Sequence, residues 1–240
     1  MHIPDGFIDI PTSAGAGVVA VAGLAVCIRK SADTLDEREI PLAGLTAAFI
    51  FAAQMLNFPV ASGTSGHLLG GVLAAVLVGP YLGALCVSVV LLVQALMFAD
   101  GGLTAAGLNI INMALITAFA GYAIFVLFRR FLPTSKRGVV VASGLAAGAA
   151  VVLASVGFTI EYALGGTGDA PVSTVATAMI GVHLLIGLGE GVITALVVSA
   201  VLATRPDLVY GASNLRAATA LVTSSGGNRT TEPSAAGTAP

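Results

Sequence analysis

The chain alternates between long apolar runs and short polar connections. Seven runs have the apolar character of membrane-spanning helices, which need roughly 20 such residues each. The runs cover residues 11–28, 41–56, 67–78, 81–98, 103–128, 138–160 and 172–204. This pattern predicts an all-α, polytopic membrane protein, a bundle of seven transmembrane helices. The third run is short for a full crossing, so we expect it to be tilted, half-buried or partly re-entrant.

The last run ends at Thr204, where Arg205-Pro206 stops the apolar pattern. Residues 205–240 are mainly Ala, Ser, Thr, Gly and Pro, with few large apolar side chains. Such a segment cannot bury enough apolar surface to fold alone. We therefore divide the chain into a membrane-embedded domain, residues 1–204, and a cytoplasmic disordered tail, residues 205–240.

Composition and charge support this architecture. The chain is 57% hydrophobic and only 9% charged, whereas an ordinary soluble domain is roughly 25% charged. With seven spans, all basic residues fall on one side of the membrane, which the positive-inside rule makes cytoplasmic. They are Arg29, Lys30, Arg38, Arg129, Arg130, Lys136, Arg137, Arg205, Arg216 and Arg229. The N-terminus is then outside and the C-terminus inside, and no large basic surface is available for nucleic acid.

The start of the chain does not resemble a cleavable signal sequence. It lacks a basic region, and Pro4-Asp5-Gly6 interrupts the apolar stretch that a signal needs. Because removal of the first methionine requires a small second residue, His2 should keep Met1 in place. Cys27 and Cys86 lie in apolar runs without metal-binding spacing, so we expect them to be packing residues.

A histidine at position 2 suggests metal binding. If Met1 carries a free amine, the amine and the His2 amide nitrogen close a five-membered ring with a metal, and the amide and imidazole Nδ1 close a six-membered ring. Nitrogen donors in a plane suit Cu(II) or Ni(II). His67, in a glycine-rich break, is the candidate fourth donor. The alternative is that His2 is a coding accident and His67 a loop residue, which two histidines alone would favour.

Other polar residues could support this site. A ligating imidazole normally has its second nitrogen held by an oxygen acceptor. Candidates for such supporting roles are Asn57, Ser62, Thr64, Asp100 and Asn109. His183 and Glu190 share one face of the last helix and could form a second metal or proton site. We favour an internal hydrogen-bonded pair, because one histidine and one carboxylate are too few for a metal cage.

Several motifs resemble one family over most of the chain. Residues 1–7 (MHIPDGF) closely resemble the start of the cobalt/nickel substrate-binding membrane components of energy-coupling factor transporters, the CbiM/NikM family. Further similar motifs are residues 54–59 (QMLNFP), 63–71 (GTSGHLLGG), 98–105 (FADGGLTA) with Asn109 and Asn112, and 183–191 (HLLIGLGEG).

The resemblance implies a seven-helix subunit in the plasma membrane of a prokaryote, with an external N-terminus. It implies a square-planar site formed by the Met1 amine, the His2 amide and imidazole, and the His67 imidazole. It also implies a transmembrane coupling subunit, two cytoplasmic ATPases and, in some systems, a small extra membrane protein as partners within the lipid. No Walker A pattern occurs here, so ATP hydrolysis would belong to the partners and the chain itself would not be an enzyme.

The sequence therefore predicts a subunit that captures Co²⁺ or Ni²⁺ as transported substrate, with no permanent cofactor. Four planar nitrogens favour nickel, whereas the absence of a fused partner resembles the cobalt-named branch, towards which we lean. The rival interpretations are a self-sufficient secondary metal permease, an intramembrane enzyme using His183 and Glu190, and a vitamin-binding subunit. A permease would need more intramembrane carboxylates than Glu190, an enzyme would need a nucleophile motif, and a vitamin pocket would be lined with aromatic residues.

Overall fold

The structure is a computed structural model that describes residues 1–33, 39–56, 58–59 and 65–213. Its apolar runs form helices. These are α1 (Ile10–Ala32), α2 (Glu39–Gln54), α3 (Gly71–Val78), α4 (Pro80–Met97), α5 (Ala106–Phe131), α6 (Lys136–Gly165) and α7 (Val172–Thr204). Between α2 and α3, β1 (Phe58–Pro59) pairs antiparallel with β2 (Ser65–Gly66). The middle of α5, Ile111–Ala120, is a π-helical segment.

Five of these helices are long and apolar enough to cross a membrane, namely α1, α4, α5, α6 and α7. Helix α2 is shorter, with 16 residues, and α3 has only 8 residues. The prediction of a helical, multi-pass membrane protein is therefore confirmed. Seven complete crossings and the orientation of the two termini stay predictions.

Apolar side chains cover the outside of the bundle, and polar side chains lie inside it. Leu185 and Leu188 on α7 are 70% and 71% exposed, an arrangement that suits lipid rather than water. Gln54, Asn109 and Glu190, by contrast, are buried. Because an unpaired polar group is costly in hydrocarbon, such groups belong in the interior of a membrane bundle.

Helix α3 lies at the centre of the protein, and all eight of its residues are buried. The short third run is thus surrounded by protein rather than half-buried. The four residues before α3, His67 to Gly70, are non-helical and also buried. Gly70 has a φ of +79°, which is accessible to glycine without strain. Irregular backbone is tolerated at this depth because other parts of the protein satisfy its polar groups.

Close glycine contacts fix α7 against α6. A Cβ atom added to Gly187 would lie 2.8 Å from the carbonyl oxygen of Gly148, and one added to Gly144 would lie 2.8 Å from that of Gly191. Small residues allow helix backbones to approach this closely. These small residues of the sixth run therefore serve packing within the chain.

The packed part of the chain continues beyond Thr204. Pro206–Leu208 and Tyr210–Ala212 form two short 3₁₀ turns, and Val209 and Ala212 are buried. These apolar side chains pack against the bundle, whereas the division into a membrane domain and a tail at residue 205 stays a prediction. Residues 214–240 of that predicted tail lie outside the described residues.

Candidate metal centre

The first residues of the chain are inserted into the helix bundle. Met1 is 1% exposed, and His2 and Ile3 are also buried, although chain termini are usually poorly ordered and exposed. The backbone of Ile3 is held on both sides. Its N–H donates to Asn109 Oδ1 at 2.8 Å, and its carbonyl accepts from Asn109 Nδ2 at 3.2 Å and from the Gly102 N–H at 2.8 Å.

Asp5 fastens the turn that follows. Its Oδ1 accepts hydrogen bonds from the Thr104 N–H at 2.8 Å and from the Thr104 hydroxyl at 2.6 Å. These bonds hold the pKa of the Asp5 carboxyl below its usual value. This anchoring role was not predicted, although the place of Asp5 in the first motif was the available signal.

The segment then runs along the C-terminal end of α6. The Asp9 N–H donates to the Gly165 carbonyl at 2.7 Å, and the Thr167 N–H donates to the Phe7 carbonyl at 3.1 Å. The Phe7 ring packs on Tyr162 with ring centroids 5.4 Å apart. The start of the chain is therefore anchored at both α5 and α6 before α1 begins.

The His2 ring contacts the His67 ring in the pocket formed around Met1, His2 and His67. The two rings are stacked, with centroids 4.6 Å apart and an interplanar angle of 30°, and His67 is 0% exposed. The structure thus brings together the two histidines that the sequence singled out. That they bind a metal stays a prediction.

The donors in this pocket are held in their neutral forms. Burial lowers the pKa of the Met1 amine from 8.0 to about 4, with Asp100 opposing the shift. Burial, and then the charge of that amine, lower the pKa of His2 from 6.5 to about 3. The pKa of His67 falls well below its ordinary value for the same reasons, with the charges of His2 and His183 adding to the effect. Neutral amine and imidazole nitrogens are the forms that bind metals.

The His67 ring is oriented by its own backbone neighbourhood. Its Nδ1 lies 2.7 Å from the Leu68 carbonyl, which can only accept, so Nδ1 carries the proton and Nε2 keeps its lone pair. Nε2 is buried without a hydrogen-bond partner among the described residues. This acceptor could not be predicted, because a main-chain carbonyl has no residue signature.

The predicted supporting residues divide into three groups. Asn57, Ser62 and Thr64 lie outside the described residues. Asn109 binds the Ile3 backbone rather than an imidazole. Asp100 faces the His2 ring, with its Oδ2 atom 3.6 Å from His2 Nε2, so it is the carboxylate placed to orient that ring.

Glu190 holds the loop that carries His67. Its two carboxylate oxygens accept from the N–H groups of Leu69 at 2.6 Å and Gly70 at 2.8 Å. Gln54 Nε2 donates to the Leu69 carbonyl at 2.8 Å. The predicted hydrogen-bonded pair of His183 and Glu190 is therefore wrong. Two residues seven positions apart on a helix are separated by about 10.5 Å along its axis, too far for a direct hydrogen bond.

Two glycines allow the segment to approach the site. Gly101 has a φ of +98°, and a Cβ atom there would lie 3.0 Å from His2 Nδ1. A Cβ atom on Gly102 would overlap the backbone nitrogen of Asp5. Larger residues at these positions would force the segment outward, a constraint that was not predicted from the Gly-Gly pair.

The space beside His2 is small. The cavity that His2, Asp100 and Asn109 line has a volume of about 10 Å³, close to the room that one water molecule needs. Among the described residues, no three His, Cys, Asp or Glu side chains are placed to hold one metal ion. A chelate that takes two nitrogens from the main chain needs only two such side chains, so this finding is compatible with the predicted site.

Comparisons with known proteins give one consistent result. The profile of the family described as the cobalt uptake substrate-specific transmembrane region, CbiM, matches residues 2–208. A Haloquadratum walsbyi protein named for metal transport is 40% identical, covering 88% of this chain and 94% of that protein. The fused nickel transport protein NikMN of Rhodobacter capsulatus is 37% identical over 87% of this chain and 64% of its own length. The crystal structure of a truncated transition metal transporter superposes with a TM-score of 0.78 at 32% identity, covering 85% of this chain and 99% of the other.

Proposed function

Because the chain belongs to the CbiM family of cobalt/nickel transport membrane proteins, we propose that it captures Co²⁺ or Ni²⁺ for an ATP-driven importer of the energy-coupling factor type. One observation carries the proposal. Met1 and His2 are buried in the bundle, and the His2 ring stacks on the buried His67 ring. Few other ligands would need a chain terminus buried beside two imidazoles.

The metal is bound by four nitrogens in a plane. The Met1 amine, the His2 amide nitrogen and His2 Nδ1 supply three of them, in adjoining five- and six-membered rings. His67 Nε2 supplies the fourth, since its Nδ1 proton is engaged by the Leu68 carbonyl. The His2 amide loses its proton on binding. Asp100 then faces the remaining His2 nitrogen and stabilises the N–H bond there, as carboxylates do for metal-bound imidazoles.

The importer contains further subunits. A transmembrane coupling subunit and two cytoplasmic ATPases supply energy, and a separate small membrane protein assists them. The fused name of the Rhodobacter capsulatus relative, only 64% of which this chain covers, supports the idea that additional protein segments work with this region. The complex resides in the plasma membrane of a prokaryote, and the N-terminal pocket faces outward.

Uptake measured with and without partners tests this assignment. Cells that contain this chain together with its coupling and ATPase subunits are expected to accumulate radioactive Ni²⁺ or Co²⁺, and ATPase subunits with an inactivated nucleotide site are expected to abolish accumulation. Equal uptake by the chain alone would instead establish the rival, a secondary permease. A matched control carries His67→Gln in the complete complex, to show that uptake depends on the pocket.

Metal affinity is expected to rise about tenfold per pH unit between pH 6 and pH 8, because one amide proton is released for each metal bound. In an exposed peptide the amine and imidazole protons would compete as well, since their pKa values are near 8 and 6.5. Here the lowered pKa values of about 4 for Met1 and about 3 for His2 remove that competition while the segment is docked.

Calorimetric titration with Ni²⁺ in two buffers of different ionisation enthalpy counts the released protons. About one proton is expected at pH 7. The lowered pKa values also mean that a displaced segment binds protons that the docked segment does not, so docking weakens as pH falls below 8 and metal affinity drops more steeply once the displaced form is populated. Affinity that is independent of pH would exclude the amide as a ligand.

The remaining rivals fit the structure less well. An intramembrane enzyme would need His183 and Glu190 to act together, but Glu190 is engaged with the backbone of Leu69 and Gly70. A larger cavity of about 460 Å³ lies between α2 and α7, and the described residues that line it include no aromatic side chain. It therefore lacks the lining that a vitamin pocket would have. Four planar nitrogens favour Ni²⁺, whereas the family description names cobalt, so both ions belong in every titration.

A further inference from the structure

All three histidines of the chain lie buried in the bundle. His2 and His67 belong to the proposed capture site, whereas His183 on α7 has no role in it. The chain has 240 residues and only these three histidines, and none of them is on the surface. The third imidazole therefore needs an explanation of its own.

The His183 ring is oriented in the same way as the His67 ring. Its Nδ1 lies 2.7 Å from the carbonyl oxygen of Met179, one turn earlier on α7, so Nδ1 carries the proton and Nε2 keeps its lone pair. Nε2 is buried and has no hydrogen-bond partner within the described ranges. A buried polar atom without a partner destabilises the fold. An imidazole with one nitrogen held by a carbonyl and the other left open is the usual arrangement of a metal ligand.

His183 is close to the proposed capture site. The strand Ser65–Gly66, which directly precedes His67, packs against α7, the helix that carries His183. The same helix also carries Glu190, whose carboxylate accepts hydrogen bonds from the loop after His67, and Gly187, which packs closely against α6. The distance between the two imidazoles is thus set by direct hydrogen bonds and close packing rather than by a flexible connection.

His183 does not join His2 and His67 around a single ion in this conformation. No set of three metal-binding side chains in the described part of the chain is arranged for that purpose. His67 would be common to both positions, because its ring stacks on His2 and the strand directly before it packs against α7.

We propose that Nε2 of His183 is the next ligand of the transported metal, and that His67 and His183 hold the ion together once the Met1–His2 chelate releases it. This inference rests on the proposed function. In the exchange the bonds from the metal to the Met1 amine, the His2 amide nitrogen and His2 Nδ1 break, and a new bond forms to His183 Nε2. The His2 amide nitrogen takes back from the solvent the one proton that it released on capture, water fills the remaining positions, and the metal keeps its oxidation state.

A variant that lacks the first chelate isolates the second position. One added residue before Met1, combined with His2→Gln, leaves His67 and His183 as the chain's remaining histidines. The full-length protein in lipid nanodiscs is titrated with Cu²⁺, and pulsed electron paramagnetic resonance counts the imidazoles bound to the ion. We expect two imidazoles. Adding His183→Gln to this background is expected to reduce the count to one and to lower the affinity at least about tenfold, or 1.4 kcal/mol.

Thr194→Val provides a matched control in the same background. Thr194 lies on the same buried face of α7, and its hydroxyl oxygen is also without a partner among the described residues. Its replacement is expected to change the affinity less than twofold. An unchanged imidazole count with His183→Gln, or an equal loss with Thr194→Val, would overturn the proposal.

A substitution that adds a signal guards against simple loss of folding. In the same background, His183→Cys is expected to bind Co²⁺ with a sulfur-to-metal charge-transfer band, because cysteine thiolate is itself a metal ligand. Absence of this band in a folded variant would exclude contact between position 183 and the metal. The proposed capture site fails separately, if one added residue before Met1 leaves the Ni²⁺ affinity of the otherwise native chain unchanged.

Discussion

One residue added before Met1 is expected to lower the affinity for Ni²⁺ by at least about a thousandfold, which corresponds to about 4 kcal/mol. The extension keeps all three histidines but converts the amine into an amide, so both of the adjoining chelate rings lose their terminal donor. It also has no room in the pocket, because Met1 is only 1% exposed. The added residue would have to displace the segment from Asn109 and Gly102, which hold Ile3.

Calorimetric titration of the purified full-length chain measures this effect. The control is the same protein with a protease site that allows the added residues to be removed after purification, since cleavage should restore the native affinity. Unchanged affinity in the extended form would show that the amine is not a ligand. The binding site would then have to be found among His67, His183 and Glu190.

Replacing His67 by glutamine is expected to lower the Ni²⁺ affinity at least about a hundredfold, or about 2.7 kcal/mol. The substitution removes the only proposed donor that does not come from the first two residues. An amide oxygen is a poorer ligand for this ion than an imidazole nitrogen. The side chain is completely buried, so water cannot easily take the vacant coordination position.

The neighbouring residue supplies the control for this experiment. Leu68→Val alters a mostly buried side chain of the same loop without touching a proposed donor, and it is expected to change the affinity less than threefold. Thermal unfolding of each variant reports whether the loop is still packed. Equal losses from His67→Gln and Leu68→Val would assign the effect to loop packing, and retained affinity in His67→Gln would exclude this imidazole as a ligand.

The helices could largely be predicted from the apolar runs, but the ends of the central ones could not. The sixth and seventh runs became α6 and α7, because long apolar stretches in a membrane have few alternatives to a helix. The third run was predicted to begin at His67, whereas α3 begins at Gly71. Hydropathy cannot locate this boundary, because residues 67–70 are equally buried and their irregular backbone is stabilised by Glu190 and Gln54 from distant helices.

The candidate site was predictable where side-chain chemistry defines it. The two histidines alone would have favoured a coding accident and a loop residue, and the family-like motifs around His2 and His67 made the metal site the better prediction. The supporting contacts were harder to predict because most involve main-chain atoms. The Leu68 carbonyl, the Ile3 peptide groups and the Gly102 N–H have the same chemistry at every position of any sequence.

The anchoring of the first residues also determines when the pocket can form during synthesis. Ile3 binds Asn109, which is 106 positions later, and Gly6 binds Thr167, which is 161 positions later. The Leu69 N–H donates to Glu190, which is 121 positions later in the chain. Contacts of such long sequence separation form late. The first residues to leave the ribosome are therefore expected to be among the last to find their places, so that only a fully inserted chain can capture metal.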